Sequence, residues 1–229
     1  MPSRLGTRRT VTQDRGDGSV SSVLFVCTGN ICRSPLAEQL FRARMEAQGV
    51  QLGASSAGTG ARTGESMTPE AAALSLRYGG DPSLHRAADI DVPGVKAASL
   101  VLTASREHRS AVVSLLPRAS RYTFTLREFA RLIEMSALDG LPPLEQSRSR
   151  VVDFNLAEFV RQTASLRGHG QAMPTAADDD IPDPYRRKQS VYDEAGMLID
   201  DAVDTIVRGI VRATIKPDAP TRTRRSAGS

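Results

Sequence analysis

The chain has 229 residues, 40% of them hydrophobic, and a formal charge of +4. That is enough apolar material for one buried core, and no run approaches the roughly 18 apolar residues of a membrane span. The first 20 residues are polar and lack the apolar stretch of a secretory signal. Cys27 and Cys32 are the two cysteines and leave no disulfide framework, so the expected setting is a reducing cytoplasm. Much of the basicity lies at the ends, in Arg4, Arg8, Arg9 and Arg15 and in Arg222, Arg224 and Arg225. Residues 1–20 and 214–229 read as disordered basic tails rich in Thr, Ser, Gly and Arg. They carry no aromatic platform, so neither nucleic acid nor a membrane is an expected partner. Residues 21–213 form the expected single domain.

The first element is a strand at 22–27. Val23 to Val26 are β-branched or large and apolar, which suits a buried parallel strand. A loop, Thr28 to Arg33, leads into a helix at 35–48. Pro35 suits a first helical turn, Ser34 is its expected cap, and Leu36, Leu40, Phe41 and Met45 form an apolar stripe. Gly49 is the stop signal. Further strands are expected at 52–57, 99–103 and 121–125, and helices at 68–78, 106–115, 127–136, 152–166 and 190–212. This alternation predicts an α/β fold: a three-layer, doubly wound, four-stranded parallel sheet with helices on both faces. The cysteine loop would then lie at the carboxyl edge, where such folds bind ligands. Residues 137–178 interrupt the pattern as a helical insertion. Leu141-Pro142-Pro143 breaks the chain, Leu156, Phe159, Val160 and Thr163 recur at helical spacing, and Gly168 and Gly170 follow. The insertion is either a packing addition or a lid that selects substrate.

The loop carries the chemistry. Between a strand end and a helix start, backbone N–H groups can cradle an anion, and the helix dipole favours it. Thr28, Gly29, Asn30, Ile31, Cys32 and Ser34 would line such a cradle, and Gly29 lets the backbone turn. Arg33 adds a planar fork for two phosphate oxygens. Cys27 lies in the same field, which activates a thiol as nucleophile. Ser34 is placed to donate a hydrogen bond to its sulfur. A lone cysteine at a strand end is ordinarily a small buried hydrophobe; the spacing to Arg33 favours catalysis instead. Expelling an alkoxide or phenoxide also needs an acid. Asp178, Asp179, Asp180 and Asp183 crowd one polar loop, and Pro182 and Pro184 hold Asp183 more rigidly than its neighbours. Tyr185 is then a candidate pocket wall for a flat ring. Cys32, beside Arg33, is a candidate disulfide partner for Cys27 under peroxide.

The run Cys27-Thr28-Gly29-Asn30-Ile31-Cys32-Arg33-Ser34-Pro35 resembles the signature of low-molecular-weight protein tyrosine phosphatases. Ser56-Ala57-Gly58-Thr59, His85-Arg86-Ala87 and Asp183-Pro184-Tyr185 resemble further motifs of that family, in the same order. The likeness covers about residues 22 to 212. It implies the phosphotyrosine phosphatase I-like fold and hydrolysis of phosphotyrosine monoesters through a phospho-cysteine. Cys27 would be the nucleophile, Arg33 the phosphate clamp and Asp183 the acid. Asn30, Ser34, Ser56 and His85 would form a polar network supporting the loop. The implied partners are a phosphotyrosine protein substrate, an opposing tyrosine kinase and inorganic phosphate as product; no metal and no cofactor are implied. Three positions depart from the family. Arg62 stands where an aromatic often lines the rim, and would favour acidic substrates. Ala88 replaces an arginine. Thr103-Ala104-Ser105-Arg106-Glu107-His108-Arg109 replaces a Met-Asp segment. The rival functions are an arsenate reductase using an external thiol and a non-catalytic phosphate-binding module.

Overall fold

Strand β1 (Ser22–Cys27) is buried almost throughout, and its alternation explains the layering. Val23 and Phe25 point into one apolar cluster, Leu24 and Val26 into another. β1 pairs in parallel with β2 (Gly53–Gly58) on one side and β3 (Leu100–Thr103) on the other, and β3 pairs in parallel with β4 (Thr123–Thr125). The sheet order is β2-β1-β3-β4. The computed structural model describes residues 22–138, 154–168 and 176–214. The expected tails, the Leu141-Pro142-Pro143 break and the Gly170 stop lie outside the described residues.

Helices α1 (Arg33–Ala47), α2 (Pro69–Arg77), α5 (Leu126–Leu138), α6 (Leu156–Ser165) and α7 (Gln189–Thr214) share the cluster beneath Phe25. The short α3 (Val92–Ala97) and α4 (Arg106–Leu115) cover the other face with Val95 and Val112. This is the expected three-layer, doubly wound sheet. No helix among the described residues is long and apolar enough to cross a membrane.

Local signals explain most boundaries. Gly49 ends α1 at φ 68°, where its amide returns to Glu46 O and that of Val50 to Met45 O. Thr68 caps α2 by accepting from Ala71 N. Three expectations need correction. Ser34 is not a helix cap: α1 already starts at Arg33, its N-cap position is Cys32, and no side chain caps it. β4 begins at Thr123 rather than 121, because Pro117–Arg121 coils into a 3₁₀ turn that takes up Arg121, with Tyr122 closing the turn. α3 was not expected; Asp91, which accepts from Gly94 N, and the proline in its first turn were its only signals.

The insertion packs. Leu156, Phe159, Val160 and Thr163 are all buried, as their spacing predicts. Phe159 meets Phe129 and Phe154 at ring centroid distances of 6.2 and 5.8 Å. Just beyond α6, the Arg167 guanidinium lies 3.7 Å from the Phe124 ring centroid. It pairs with Glu128 at 2.8 Å and donates to Thr123 O at 2.7 Å. One buried face and one arginine fasten α6 to α5 and β4.

Candidate active site

The backbone between β1 and α1 turns its carbonyls outward. Cys27 O accepts from Thr59 N at 2.9 Å, Thr28 O from Gly60 N at 3.1 Å and Gly29 O from Arg62 N at 3.0 Å. Asn30 O accepts from His85 Nε2 at 2.7 Å, Ile31 O from Thr68 N at 2.9 Å and Cys32 O from Leu36 N at 3.2 Å. Among the described residues, none accepts from the amides of Gly29 to Cys32. A loop with its acceptors satisfied outside and its donors left inside is an anion nest. The segment after β2 wraps this loop closely. A Cβ on Gly58 would fall 2.3 Å from Thr28 O, so only glycine fits there.

Asn30 fixes the shape of the loop. It is fully buried with φ 53°, a left-handed conformation that asparagine tolerates. Its amide nitrogen donates to Ser34 Oγ and Ser56 Oγ, both at 2.9 Å, and Oδ1 accepts from Ala88 N at 2.9 Å. Its full side-chain donor capacity is used. The carbonyl can only accept, so His85 carries its proton on Nε2. His85 and Ser56 thus both hydrogen-bond Asn30, one through its carbonyl and one through its side-chain amide. Ala88 lacks the arginine side chain of the family pattern, yet its backbone holds the loop.

Ser34 Oγ lies 3.0 Å from Cys27 Sγ and 3.3 Å from Ala57 O. The hydroxyl has one proton, so a thiolate and the carbonyl compete for it, and charge favours the thiolate. Cys27 is buried at the base of the nest. Arg33 is 6% exposed. Its Nη1 donates to Ile181 O at 3.2 Å, its Nη2 meets Asp183 Oδ1 at 3.1 Å, and its Nε is buried without a partner. Nε and Nη2 are the edge that grips two oxygens of a phosphate. Asp183 is exposed, and its Oδ1 also accepts from Tyr185 N at 3.2 Å. The nucleophile loop, with Cys27 and Arg33 at its two ends, thus meets Asp183 from a segment 150 residues further along the chain.

Cys32 turns elsewhere. Its sulfur contacts Thr68 Oγ1 at 3.5 Å and Tyr192 Oη at 3.9 Å. Burial pushes its thiol up to about 11, so it stays protonated near neutral pH. Arg62 lies over the Tyr185 ring at 5.6 Å, and Arg186 lies over the same ring at 5.2 Å. Arg62 is not a free cation, however: its Nε donates to Glu65 at 2.7 Å.

Sequence reasoning passed over several supporting groups. Glu38 accepts from Ser56 Oγ at 2.7 Å. Asp180 accepts from the amide of Arg106, which opens α4, at 2.8 Å and pairs with its guanidinium at 3.1 Å. Asp179 pairs with Arg131 at 2.9 Å. Ile181 N donates to Ala104 O at 2.9 Å. The carboxylates beside Asp183 therefore tether its loop to α4 and α5. Their only sequence signal was the crowding of carboxylates. His108, which reaches the nucleophile loop, was visible only as part of an unusual segment.

A parallel sheet with a Cys-x5-Arg nest at its carboxyl edge and an aspartate on the arginine defines a class of phosphate-handling enzyme. The model of the family described as low molecular weight phosphotyrosine protein phosphatase matches residues 22–167. The chain is 42% identical over 199 residues to a low molecular weight protein-tyrosine-phosphatase of Streptomyces coelicolor, covering 85% of this chain and 95% of that one. It is 34% identical over 147 residues to a protein-arginine-phosphatase of Bacillus subtilis, covering 62% and 93%. A solved low molecular weight protein tyrosine phosphatase from T. tengcongensis superposes with TM-score 0.58 at 30% identity, over 82% of this chain and 98% of that one. The tyrosine phosphatase amsI of Erwinia amylovora shares the fold, with TM-score 0.58 at 20% identity, over 86% and 97%. The chain belongs to the low molecular weight phosphotyrosine protein phosphatase family and is a phosphoric monoester hydrolase.

Proposed function

We propose that this chain hydrolyses phosphotyrosine in proteins through a phospho-cysteine at Cys27. The observation that carries the reading is the nest itself: outward carbonyls, a buried Arg33 edge and a sulfur at its base. Phosphate oxygens sit on the loop amides and on Nε and Nη2 of Arg33. The dianion takes over the charge of Arg33 and frees Asp183 to carry a proton. Cys27 Sγ attacks phosphorus in line, and the bond from phosphorus to the tyrosine oxygen breaks. The electron pair leaves with that oxygen, which takes the proton of Asp183. Ser34 donates to the sulfur before attack and after release. Water then attacks phosphorus, Asp183 accepts its proton, the phosphorus–sulfur bond breaks, and inorganic phosphate leaves. A partly exposed Tyr185 beside Asp183 favours a flat aryl group at the mouth. The free cysteines fit a reducing cytoplasm, with a tyrosine kinase as the opposing enzyme.

One comparison favours a second substrate. The Bacillus subtilis relative is named for phosphoarginine, and the loop chemistry proposed here would cleave a nitrogen–phosphorus bond as well. Comparing kcat/KM on phosphotyrosine and phosphoarginine peptides decides between them. The mechanism is tested by Cys27→Ser, which should abolish hydrolysis of p-nitrophenyl phosphate yet still bind inorganic phosphate by calorimetry. Wild-type turnover in that variant would reject the phospho-cysteine.

A further inference from the structure

Ser105 and His108 open α4 in the segment that departs from the family's Met-Asp pattern. His108 is 4% exposed, and a buried imidazole needs a partner at each nitrogen. Nδ1 lies 2.7 Å from Ser105 Oγ and Nε2 lies 2.8 Å from Thr28 Oγ1. Thr28 directly follows Cys27 and is exposed at the rim of the nest. A buried ring on another helix is thus spent on orienting one hydroxyl beside the nucleophile.

The protons give this chain a direction. Ser105 Oγ accepts from His108 N at 3.4 Å as the cap of α4, and the tautomer assigned to the ring gives the Ser105 proton to Nδ1. Nδ1 then accepts, and Nε2–H donates to Thr28 Oγ1. The Thr28 proton must point away from the imidazole, and no described group accepts it. Burial, and next the charge of Arg33, push His108 down to about 4 against the opposing pull of Asp183 and Asp180. At working pH the ring is neutral, with one donor and one acceptor.

We infer that His108 is a positioning residue for phosphoryl transfer: its Nε2–H fixes the Thr28 hydroxyl as a hydrogen-bond donor to the phosphoryl ester held on the loop. The inference rests on the proposed phosphatase reading. A free threonine hydroxyl at a rim samples several rotamers, whereas one held by a buried ring is preorganised where negative charge collects.

The test is hydrolysis of p-nitrophenyl phosphate by the full chain and its Thr28→Val, Thr28→Ser, His108→Ala, His108→Gln and Thr28→Val/His108→Ala variants. Thr28→Val and His108→Ala should each lower kcat/KM about 3- to 10-fold. The double variant should fall no further than the weaker single, because both remove the same hydrogen bond to substrate. Thr28→Ser and His108→Gln should recover part of the loss, since each restores a donor. Thr28 is exposed, so its variants decide the matter even where a buried His108 replacement unfolds, which thermal melting reports. Wild-type kcat/KM in Thr28→Val, or losses that multiply in the double variant, would overturn the inference alone. No hydrolysis of phosphate esters by the wild-type chain would overturn it together with the phosphatase reading.

Discussion

Asp183 holds two positions in the proposed cycle, and the ion pair with Arg33 at 3.1 Å shows why its neighbours matter. As a carboxylate it neutralises the arginine; as an acid it protonates the leaving oxygen. Asp183→Asn should therefore slow poor leaving groups far more than good ones, by about 10² to 10⁴ at the basic end. A plot of log kcat/KM against leaving-group pKa checks this, and an equal loss for all esters would make Asp183 structural. Arg62 needs a smaller role than its sequence position suggested, because Glu65 already takes up its charge. Arg62→Ala should shift the acidic-to-neutral ratio of kcat/KM on phosphotyrosine peptides by no more than about three-fold, and less at high salt. A shift of ten-fold or more would mean that the pair with Glu65 opens when substrate binds.

At the scale of elements, the insertion helix has the marks of a packing device. Its apolar face is buried against α5, and Arg167 joins Phe124, Glu128 and Thr123 in one contact. Arg167→Ala should cost about 1–3 kcal/mol in urea unfolding, through lost packing as well as lost charge. The kcat for p-nitrophenyl phosphate should change little. A fall in kcat at unchanged stability would make α6 a lid instead. The acid loop is likewise tied down, by Arg106 to Asp180 and Arg131 to Asp179.

For the whole molecule, the buried His108 links stability to pH. Its folded value of about 4 lies below the unfolded 6.5. Between those two values the unfolded chain binds more protons, so stability falls as pH drops from about 6.5 to about 4 and then levels off for this group. The full span is worth at most about 3 kcal/mol. Unfolding of wild type and His108→Gln at pH 7 and pH 4 isolates the effect. The variant should lose less stability on acidification, and an equal loss in both would show that His108 is reached by solvent when folded.

The apolar run from Val23, the alternation of strand and helix, and the spacing from Cys27 to Arg33 were enough to determine the sheet, its layers and the place of the nest. These are local patterns, and local patterns are what a sequence displays. The buried spacing of Leu156, Phe159, Val160 and Thr163 was equally legible. Ser34 was legible in part: its reach to the Cys27 sulfur was expected from the loop, but its role as helix cap was not realised, because α1 already starts at Arg33 and turns the hydroxyl inward. Asp183 stood out in the sequence by its flanking prolines, but which carboxylates tether the loop was decided by packing, where Asp179 meets Arg131 of α5 and Asp180 meets Arg106 of α4. The contact of His108 with Thr28 joins residues 80 positions apart, and no periodicity encodes it. Chain neighbours fixed the elements; only the fold, by setting α4 against the nucleophile loop, could put that imidazole beside that hydroxyl.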